Sequence, residues 1–238
     1  IAVCTWNGIS SRYIGVRSTY GYNGDGLNRL STYLNYPTGI HYDPKNLRLY
    51  FADSGNHRVR FIDQSQGNDT IRLLAGYVNP VYLFYFPIDV WTNTQGTVYV
   101  ADNENCVVWE VDPITFSASR RVGYQGSCYV AGDGDNAYTS AFIMNPTGIC
   151  GDADGNLYIL QQSNGVRGVS AFSGIIDTFV GGENVPYRIE GVNGKDFRSS
   201  SMFGCFVESS WDLIFPDMEL GHVLRVKAPF SVNTVTSI

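Results

Sequence analysis

Short apolar runs separated by turn-forming clusters make up most of the chain. Residues 98–100 and 157–159 are β-branched and aromatic, a composition typical of strands. Clusters of Asp, Asn, Pro and Gly divide such runs, at residues 43–46, 93–96 and 152–156. No stretch keeps apolar residues at the i, i+3, i+4 and i+7 positions of an amphipathic helix. The pattern therefore predicts an all-β protein.

One phrase recurs along the chain at intervals of roughly 50–60 residues. Each copy opens with Pro-x-Gly-Ile or a close variant. A turn follows, and then three successive residues that are apolar or aromatic. The copies lie at residues 36–59, 86–106 and 145–159, with a worn fourth copy at 203–217. A repeat that holds several short strands predicts a propeller or an array, in which each small sheet buries both faces against its neighbours.

The repeat resembles the NHL repeat of β-propellers, a unit that begins Pro-x-Gly-Ile/Val and continues Leu-Tyr-Val-Ala-Asp-x-x-Asn-His-Arg-Val. Residues 37–63 follow this pattern closely. A second family feature, a Gly-Asp-Gly loop between blades, appears at 22–26 and 132–141 and, decayed, at 191–196, whereas residues 77–86 replace it before the second blade. The resemblance spans nearly the whole chain and implies a propeller of four-stranded blades.

We label the strands of a blade A to D in chain order. Strand A of the successive blades is expected to begin at Gly39, Asp89, Gly148 and Gly204. Residues 1–5 and 9–14 fit strands C and D of a partial N-terminal blade. Four near-complete blades plus this part do not close a ring, so we expect residues 1–238 to form one propeller domain within a longer chain. Strands from the same chain or from a neighbour would complete five or six blades.

The composition narrows the partners and the compartment. The net charge is −6, and nucleic-acid binding needs a concentrated positive field, so we expect no nucleic-acid partner. No run of 18 apolar residues occurs, so we expect no membrane span. Residues 68–70 form an N-glycosylation acceptor at Asn68. Together with five cysteines and 16 tyrosines, this motif favours a secreted or cell-surface protein.

The cysteines lie at distinct positions of the repeat. Cys106 falls in the B–C loop of the second blade and Cys128 in the following D–A loop, and both loops emerge on the same face of a four-stranded meander. A disulfide between them and two unpaired thiols are both open. Cys150 and Cys205, on strand A, are expected to pack as small hydrophobic residues. For Cys4, a partner across the ring closure and one in a missing segment are both open.

The three histidines offer little for a metal. Some NHL-type propellers are amidating lyases with a zinc ion held by several histidines near the axis, and a catalytic zinc needs three protein ligands at one point. His57 is the consensus histidine of the repeat, and His222 occupies the same position in the fourth blade. Their repetition indicates a structural role between strands B and C. His41 lies on strand A, and we expect no catalytic metal.

Two groups of aspartates have alternative interpretations. Asp133 and Asp135 resemble part of a calcium loop, but the resemblance to the Gly-Asp-Gly loop implies that Asp133 caps backbone N–H groups. Asp53, Asp102 and Asp217 recur at the end of strand B, where they would accept hydrogen bonds and hold the B–C loop. Because they recur in separate blades, we interpret them as structural.

Departures from the repeat are the candidate contact sites. In the segment 77–86, Phe84 matches an apolar position of the repeat and is expected in the core. Tyr82, Leu83 and Tyr85 match none, so they either form an exposed aromatic patch or fold down on the first blade. Tyr124 and Tyr138, in the next D–A loop, join them as candidate interface residues.

Three functions are open. The one we favour is a non-catalytic extracellular interaction or structural module, whose face loops bind protein partners or further copies in a surface assembly or fibre. The second is a lyase or hydrolase with a metal or acid–base cluster in the axial channel, for which His41, Asp89 and Glu208 are the candidates. The third is glycan binding through surface tyrosines. We expect no cofactor.

Overall fold

The chain forms four four-stranded antiparallel sheets and one two-stranded sheet. This computed structural model describes residues 1–4, 10–65, 67, 69–77, 83–162, 165–181, 194–197, 202–209, 211–218, 221–227 and 235–237. Each four-stranded sheet is a meander whose strands pair in chain order. The all-β propeller predicted from the sequence is confirmed, with four blades and an N-terminal hairpin at the position of the partial blade.

The strands are, in chain order, β1 (Ala2–Cys4) and β2 (Ser10–Arg12) of the hairpin; β3 (Pro37–Asp43), β4 (Arg48–Asp53), β5 (Arg58–Asp63) and β6 (Ile71–Gly76) of blade 1; β7 (Pro87–Thr92), β8 (Val98–Asp102), β9 (Val107–Val111) and β10 (Ala118–Gly123) of blade 2; β11 (Pro146–Gly151), β12 (Leu157–Gln161), β13 (Gly165–Val169) and β14 (Ile176–Val180) of blade 3; and β15 (Phe206–Val207), β16 (Leu213–Asp217), β17 (His222–Val226) and β18 (Val235–Ser237) of blade 4. Strand β7 lies beside β3 and β11, so the A strands are the innermost.

Alternation along strand B explains how the blades stack. Successive side chains of a strand point to opposite faces of its sheet. In β8, Val98 and Val100 enter the core between blades 1 and 2, whereas Tyr99 and Ala101 enter the core between blades 2 and 3. Because both faces of the sheet are covered, the strand reads as an unbroken apolar run. The core is thus a series of layers between adjacent blades.

The end of strand B holds the loop that enters each blade. A buried side-chain oxygen there accepts a backbone N–H from the residues just before strand A. The three bonds run from Asn35 N to Asp53 Oδ1 (2.7 Å), from Tyr85 N to Asp102 Oδ1 (2.8 Å) and from Met144 N to Gln161 Oε1 (2.9 Å). The predicted structural role of Asp53 and Asp102 is therefore observed, but they fasten the entering loop as well as the B–C loop.

A buried arginine on strand C fixes the Gly-Asp-Gly loop to its blade. Arg60 is fully buried. Its guanidinium donates to Asp25 Oδ1 (2.9 Å), Gly24 O (2.7 Å), Tyr33 O (3.2 Å) and Asp53 Oδ2 (3.2 Å). The free-energy cost of burying this charge is offset because two carboxylates and two carbonyls accept hydrogen bonds from the guanidinium. The loop before blade 1 is thereby tied to strands B and C of that blade.

Blade 3 repeats this arrangement and the other blades omit it. Arg167 is also fully buried and donates to Asp133 Oδ1 (2.5 Å), Ala131 O (3.1 Å) and Phe142 O (2.6 Å). Blade 2 lacks the Gly-Asp-Gly loop and has Trp109 at the corresponding position of strand C, where Nε1 donates to Asp102 Oδ2 at 2.9 Å. Blade 4 has Leu224 there, opposite Phe215. The loop and the arginine occur together.

Replacing Arg167 with Leu should lower the free energy of unfolding by about 3 kcal/mol, because two buried carbonyls lose their donor and Asp133 loses its cation. The matched change Arg225→Leu should cost under about 1 kcal/mol, since that ion pair with Glu208 is partly exposed. Urea unfolding measures both values, and hydrogen exchange should rise between residues 131 and 142 in the first variant alone. Equal losses of stability in the two variants would contradict the role of Arg167 in fixing the Gly-Asp-Gly loop.

Candidate functional site

The B–C and D–A loops emerge together and form one face of the propeller, here called the loop face. In blade 1, His57 ends a short 3-10 helix with a left-handed backbone conformation (φ 55°). Its Nδ1 accepts the N–H of Phe86 at 3.1 Å. Burial, and then the charge of Arg58, lowers the pKa of His57. The histidine therefore joins blade 1 to the loop entering blade 2, rather than strand B to strand C as predicted.

In blade 2, Cys106 takes the position of His57. Its backbone is also left-handed (φ 56°), and its Sγ accepts the N–H of Asn145 at 3.3 Å. The structure joins Cys106 to Cys128 in a disulfide bond, with the Cα atoms 5.3 Å apart. This is one of the two states that the sequence left open. The bond fastens the D–A loop of blade 2 at Cys128.

Cys150 and Cys205 pack in the core as predicted, but the prediction missed the bond between them. Cys150 on β11 and Cys205 just before β15 form a second disulfide, with Cα atoms 5.7 Å apart. The A strands of blades 3 and 4 lie side by side near the axis. The repeat pattern does not indicate how close cysteines of neighbouring blades come. A covalent bond thus joins two neighbouring blades. The side chain of Cys4 lies outside the described part of the chain.

The predicted patch of residues 82–85 is only partly exposed. Tyr82 lies outside the described residues. Leu83 follows the second of the two alternatives, because it is partly buried and packs against the core between blades 1 and 2, so it is not part of an exposed patch. Phe84 is fully buried, as predicted. Tyr85 is 49% exposed, and its ring stacks on His57 with centroids 4.9 Å apart. Within the described residues 83–86, Leu83 and Phe84 therefore fold down on blade 1, and Tyr85 lies at the surface.

The D–A loop after β10 carries an aromatic column. The Phe142 ring stacks on Tyr124 (4.8 Å) and on Tyr129 (4.3 Å). Two rings cannot share one face of a third at such distances, so they lie on opposite sides of Phe142. The Arg120 guanidinium lies 3.8 Å over the Tyr124 ring. We call the series Arg120, Tyr124, Phe142 and Tyr129 the aromatic column. Tyr129, at its end, is 47% exposed and was missed, since nothing in the repeat marks it.

The other predicted interface tyrosine of this loop, Tyr138, lies beside the column. Its ring is 40% exposed, and the buried Arg121 guanidinium lies 3.9 Å from the ring centroid. Arg120 Nη2 donates to the carbonyl of Tyr138 at 2.9 Å. Tyr124 is half-buried, and its hydroxyl donates to the carbonyl of Thr139. Both predicted tyrosines therefore help to hold the loop as well as line its surface.

The weak calcium candidates have other partners. Asp133 Oδ1 receives two N–H bonds from Arg167, so a guanidinium and not the predicted set of backbone N–H groups is its partner. Asp135 is exposed. Across the part of the chain that the structure describes, no three His, Cys, Asp or Glu side chains gather as metal ligands would. The glycosylation candidate Asn68 lies outside the described residues.

The axial candidates stand apart from one another. His41 Nε2 is 3.0 Å from Thr92 Oγ1 of blade 2, and burial lowers its pKa. Glu208 pairs with Arg225 in blade 4. Asp89 replaces the glycine of strand A and approaches Gly39 so closely that a Cβ there would lie 2.2 Å from its Oδ1. No cluster of these three side chains forms.

Asp89 is bonded between blades. Its Oδ1 accepts the N–H of Val90 at 2.9 Å, and its Oδ2 accepts the N–H of Ile149, on blade 3, at 3.0 Å. Burial raises its pKa from 3.8 to about 6 against the lowering effect of both bonds. Burial also raises the pKa of Asp102 to about 6.

Helices long and apolar enough to cross a membrane are absent from the described residues.

Similarity to known proteins establishes the fold of this chain but not its function. No family model matches the chain. The protein SUPPRESSOR OF QUENCHING 1, chloroplastic, of Arabidopsis thaliana is 26% identical over 161 residues, which cover 61% of this chain and 15% of the relative. The chain therefore spans a small part of that protein. Membership of the NHL-repeat family stays a prediction.

Two solved structures share the fold at equal similarity. A catalytically inactive virginiamycin B lyase from Staphylococcus aureus, with quinupristin, has a TM-score of 0.59 at 14% identity, covering 99% of this chain and 61% of that one. An auxiliary nutrient binding protein from Bacteroides ovatus also has a TM-score of 0.59 at 14% identity, covering 100% and 58%. An enzyme and a binding protein are thus equally similar, and the likeness shows a β-propeller alone.

The contribution of Asp89 and Asp102 to the free energy of unfolding should fall as the pH rises from about 4 to above 6. The folded state raises the pKa of Asp89 and Asp102, so their protonated forms favour folding below pH 4, and this contribution is lost through pH 6. At about 1.4 kcal/mol per pKa unit, each group accounts for at most about 3 kcal/mol. Urea unfolding between pH 4 and 8 should show a smaller fall for Asp89→Asn.

Asp112→Asn provides the control. Hydrogen bonds from the backbone of Thr115 and Ile114 lower the pKa of this exposed carboxylate, so its contribution to stability changes below about pH 4 and its removal should leave the fall between pH 4 and 8 nearly unchanged. If Asp89→Asn left the pH dependence unchanged, the raised pKa would be wrong. Carbon-13 shifts of the Asp89 carboxyl would give the same answer directly.

Peptide mapping without reduction should recover two linked pairs, Cys106 with Cys128 and Cys150 with Cys205. The pairs close sequence separations of 22 and 55 residues. Replacing both cysteines of a pair by Ala should cost about 3 and about 4 kcal/mol respectively, from the greater freedom of the unfolded chain. Only the first double variant should raise hydrogen exchange around residue 128. Free thiols at these four positions in the oxidised protein would contradict the assignment.

Proposed function

We propose that this chain is a non-catalytic interaction module of a secreted or cell-surface protein, which binds a protein partner or further copies of itself through its loop face. The observation that carries the proposal is the D–A loop of blade 2. It is fixed by a disulfide and by a buried arginine, and it exposes the rings of Tyr129 and Tyr138. Aromatic side chains held rigidly at a surface are typical of protein contacts.

The disulfides support the compartment. Disulfide bonds persist where the surroundings are oxidising, as outside the cell. The Cys106–Cys128 bond holds the D–A loop of blade 2, and the Cys150–Cys205 bond joins two blades. Both the fold and the proposed contact loop are therefore stabilised by disulfide bonds. An N-glycan at Asn68 is part of the proposal.

The surface chemistry favours a protein over a nucleic acid. The chain carries 22 acidic and 16 basic residues, and the D–A loop of blade 2 contains aspartates but no Lys or Arg between residues 122 and 146. Phosphate backbones require the opposite charge. Glycans could also stack on exposed tyrosines, and this is the alternative ligand class. The nutrient binding protein from Bacteroides ovatus gives the fold a binding precedent.

A propeller enzyme is the second candidate, because Asp89 interrupts the repeat near the axis. Its pKa of about 6 suits a general acid or base. The lyase from Staphylococcus aureus shows what the fold can host. Against this, both carboxylate oxygens of Asp89 accept backbone N–H groups. Turnover that disappears in Asp89→Asn would favour this candidate.

Immobilised protein in the extracellular fluid of its source should retain one partner, or further copies of the chain, and a Tyr85→Ala/Tyr129→Ala variant should not. The expected loss follows from removing two exposed rings of the loop face. A Tyr42→Ala/Phe116→Ala variant is the control, because both side chains are 43% exposed and lie elsewhere. Direct titration of the purified partner completes the measurement. Equal retention by all three proteins would contradict the proposal.

A further inference from the structure

The aromatic column ends in a ring without a stacking neighbour on its outer side. Arg120 covers Tyr124 and Phe142 separates Tyr124 from Tyr129. Among the described residues, no further ring or guanidinium is stacked on Tyr129, whose side chain is 47% exposed. The electron-rich outer face of this phenol is therefore open to a ligand. A cation or a flat group is what such a face attracts.

The two loops joined by the disulfide next to Tyr129 carry exposed carboxylates. The B–C loop of blade 2 supplies the exposed Glu104, and the D–A loop supplies Asp133 and Asp135. Asp133 is partly neutralised by Arg167, and Arg120 lies at the far end of the column. Glu104 is held near the loop, because Cys106 is bonded to Cys128, next to Tyr129. Arg120 and Arg121 are engaged with Tyr124 and Tyr138, so the exposed carboxylates Glu104 and Asp135 are the groups that would attract a cationic ligand.

The protein itself stacks arginine on tyrosine repeatedly. Guanidinium carbons lie 3.8 Å from the Tyr22 centroid (Arg58), 3.8 Å from Tyr124 (Arg120) and 3.9 Å from Tyr138 (Arg121). Arginine presents a flat, weakly hydrated cation, so it stacks on a ring better than lysine does. Tyr129 offers the same kind of ring, stacked on Phe142 and 47% exposed.

The loop is fixed before any ligand arrives. The disulfide holds Cys128, Arg167 holds the carbonyls of Ala131 and Phe142, and Arg120 holds the carbonyl of Tyr138. A surface ordered in advance loses little conformational entropy on binding, so a single stacked cation can contribute measurably.

We propose that Tyr129 receives an arginine side chain from a basic segment of a partner protein, with Glu104 and Asp135 providing the surrounding negative charge. The inference rests on the proposed binding function and names the chemistry of its partner. Stacking on an open ring and charge attraction act together, so the segment is recognised by its guanidinium groups and not by positive charge alone.

The test titrates the whole chain with a fluorescent ten-residue Gly-Arg repeat peptide and with matched Gly-Lys and Gly-Glu peptides. Saturable binding of the arginine peptide is expected, with lysine weaker and glutamate without effect. Tyr129→Leu, which keeps an apolar contact with Phe142, should weaken arginine binding about tenfold. Tyr129→Phe should bind nearly as well as the native protein, because the ring is retained. Glu104→Gln should reduce the salt dependence of binding.

Tyr42→Leu is the matched control, since Tyr42 is 43% exposed and lies at the end of β3; its affinity should equal that of the native protein. Equal binding of arginine and lysine peptides, unaffected by Tyr129→Leu, would overturn the inference in favour of unspecific attraction. Binding of cellohexaose or chitohexaose instead, lost in Tyr129→Leu, would overturn the partner class and keep the binding function. Absence of arginine binding, alongside a retained partner in the capture experiment, would overturn this inference alone.

Discussion

The structure depends on one recurring constraint, the hydrogen bond between the end of strand B and the loop that enters the blade. A blade is a simple meander, and nothing in its own strand pairing determines where the preceding loop must lie. The buried oxygens of Asp53, Asp102 and Gln161 determine it, because each accepts one N–H just before strand A. An unmade bond at such a buried acceptor is costly. Strand A is thus directed to the axis, and the loop face is assembled from loops of fixed position.

In addition to this common hydrogen bond, the blades differ in the strand-C side chain that lies beside the entering loop. Blades 1 and 3 add a buried arginine, which binds the Gly-Asp-Gly loop through its carbonyls and aspartate. Blade 2 replaces the arginine with Trp109, which serves only Asp102, and the loop before it becomes aromatic. Tyr85 thus lies on a loop where the repeat has been altered, whereas Tyr129 and Tyr138 lie on a loop that keeps the Gly-Asp-Gly motif and its arginine. Both loops stay ordered because the common bond is kept.

Much of this fold could be predicted from the sequence, because strand period and repeat are local properties. The positions of strands A to D followed from the repeat phrase, and so did the structural role of the strand-B aspartates. The burial of Leu83 could not be predicted, since it depends on how blade 1 meets the loop of blade 2. The Cys150–Cys205 bond was missed for the same reason, because it depends on the distance between two blades, whereas the repeat describes one blade at a time. The partner of Asp133 was missed because the repeat pattern gives no distance between the Gly-Asp-Gly loop and strand C of the blade that follows it.

The pairing of loop and arginine has a consequence for how such a chain grows. If strands A to D alone were duplicated, the new copy would contain a buried guanidinium whose aspartate and carbonyl partners stayed behind in the parent. A duplication that starts at the Gly-Asp-Gly loop carries donor and acceptors together. The inherited unit therefore begins after strand D and ends with the next one, and genetic exchange between blades is least damaging at that junction.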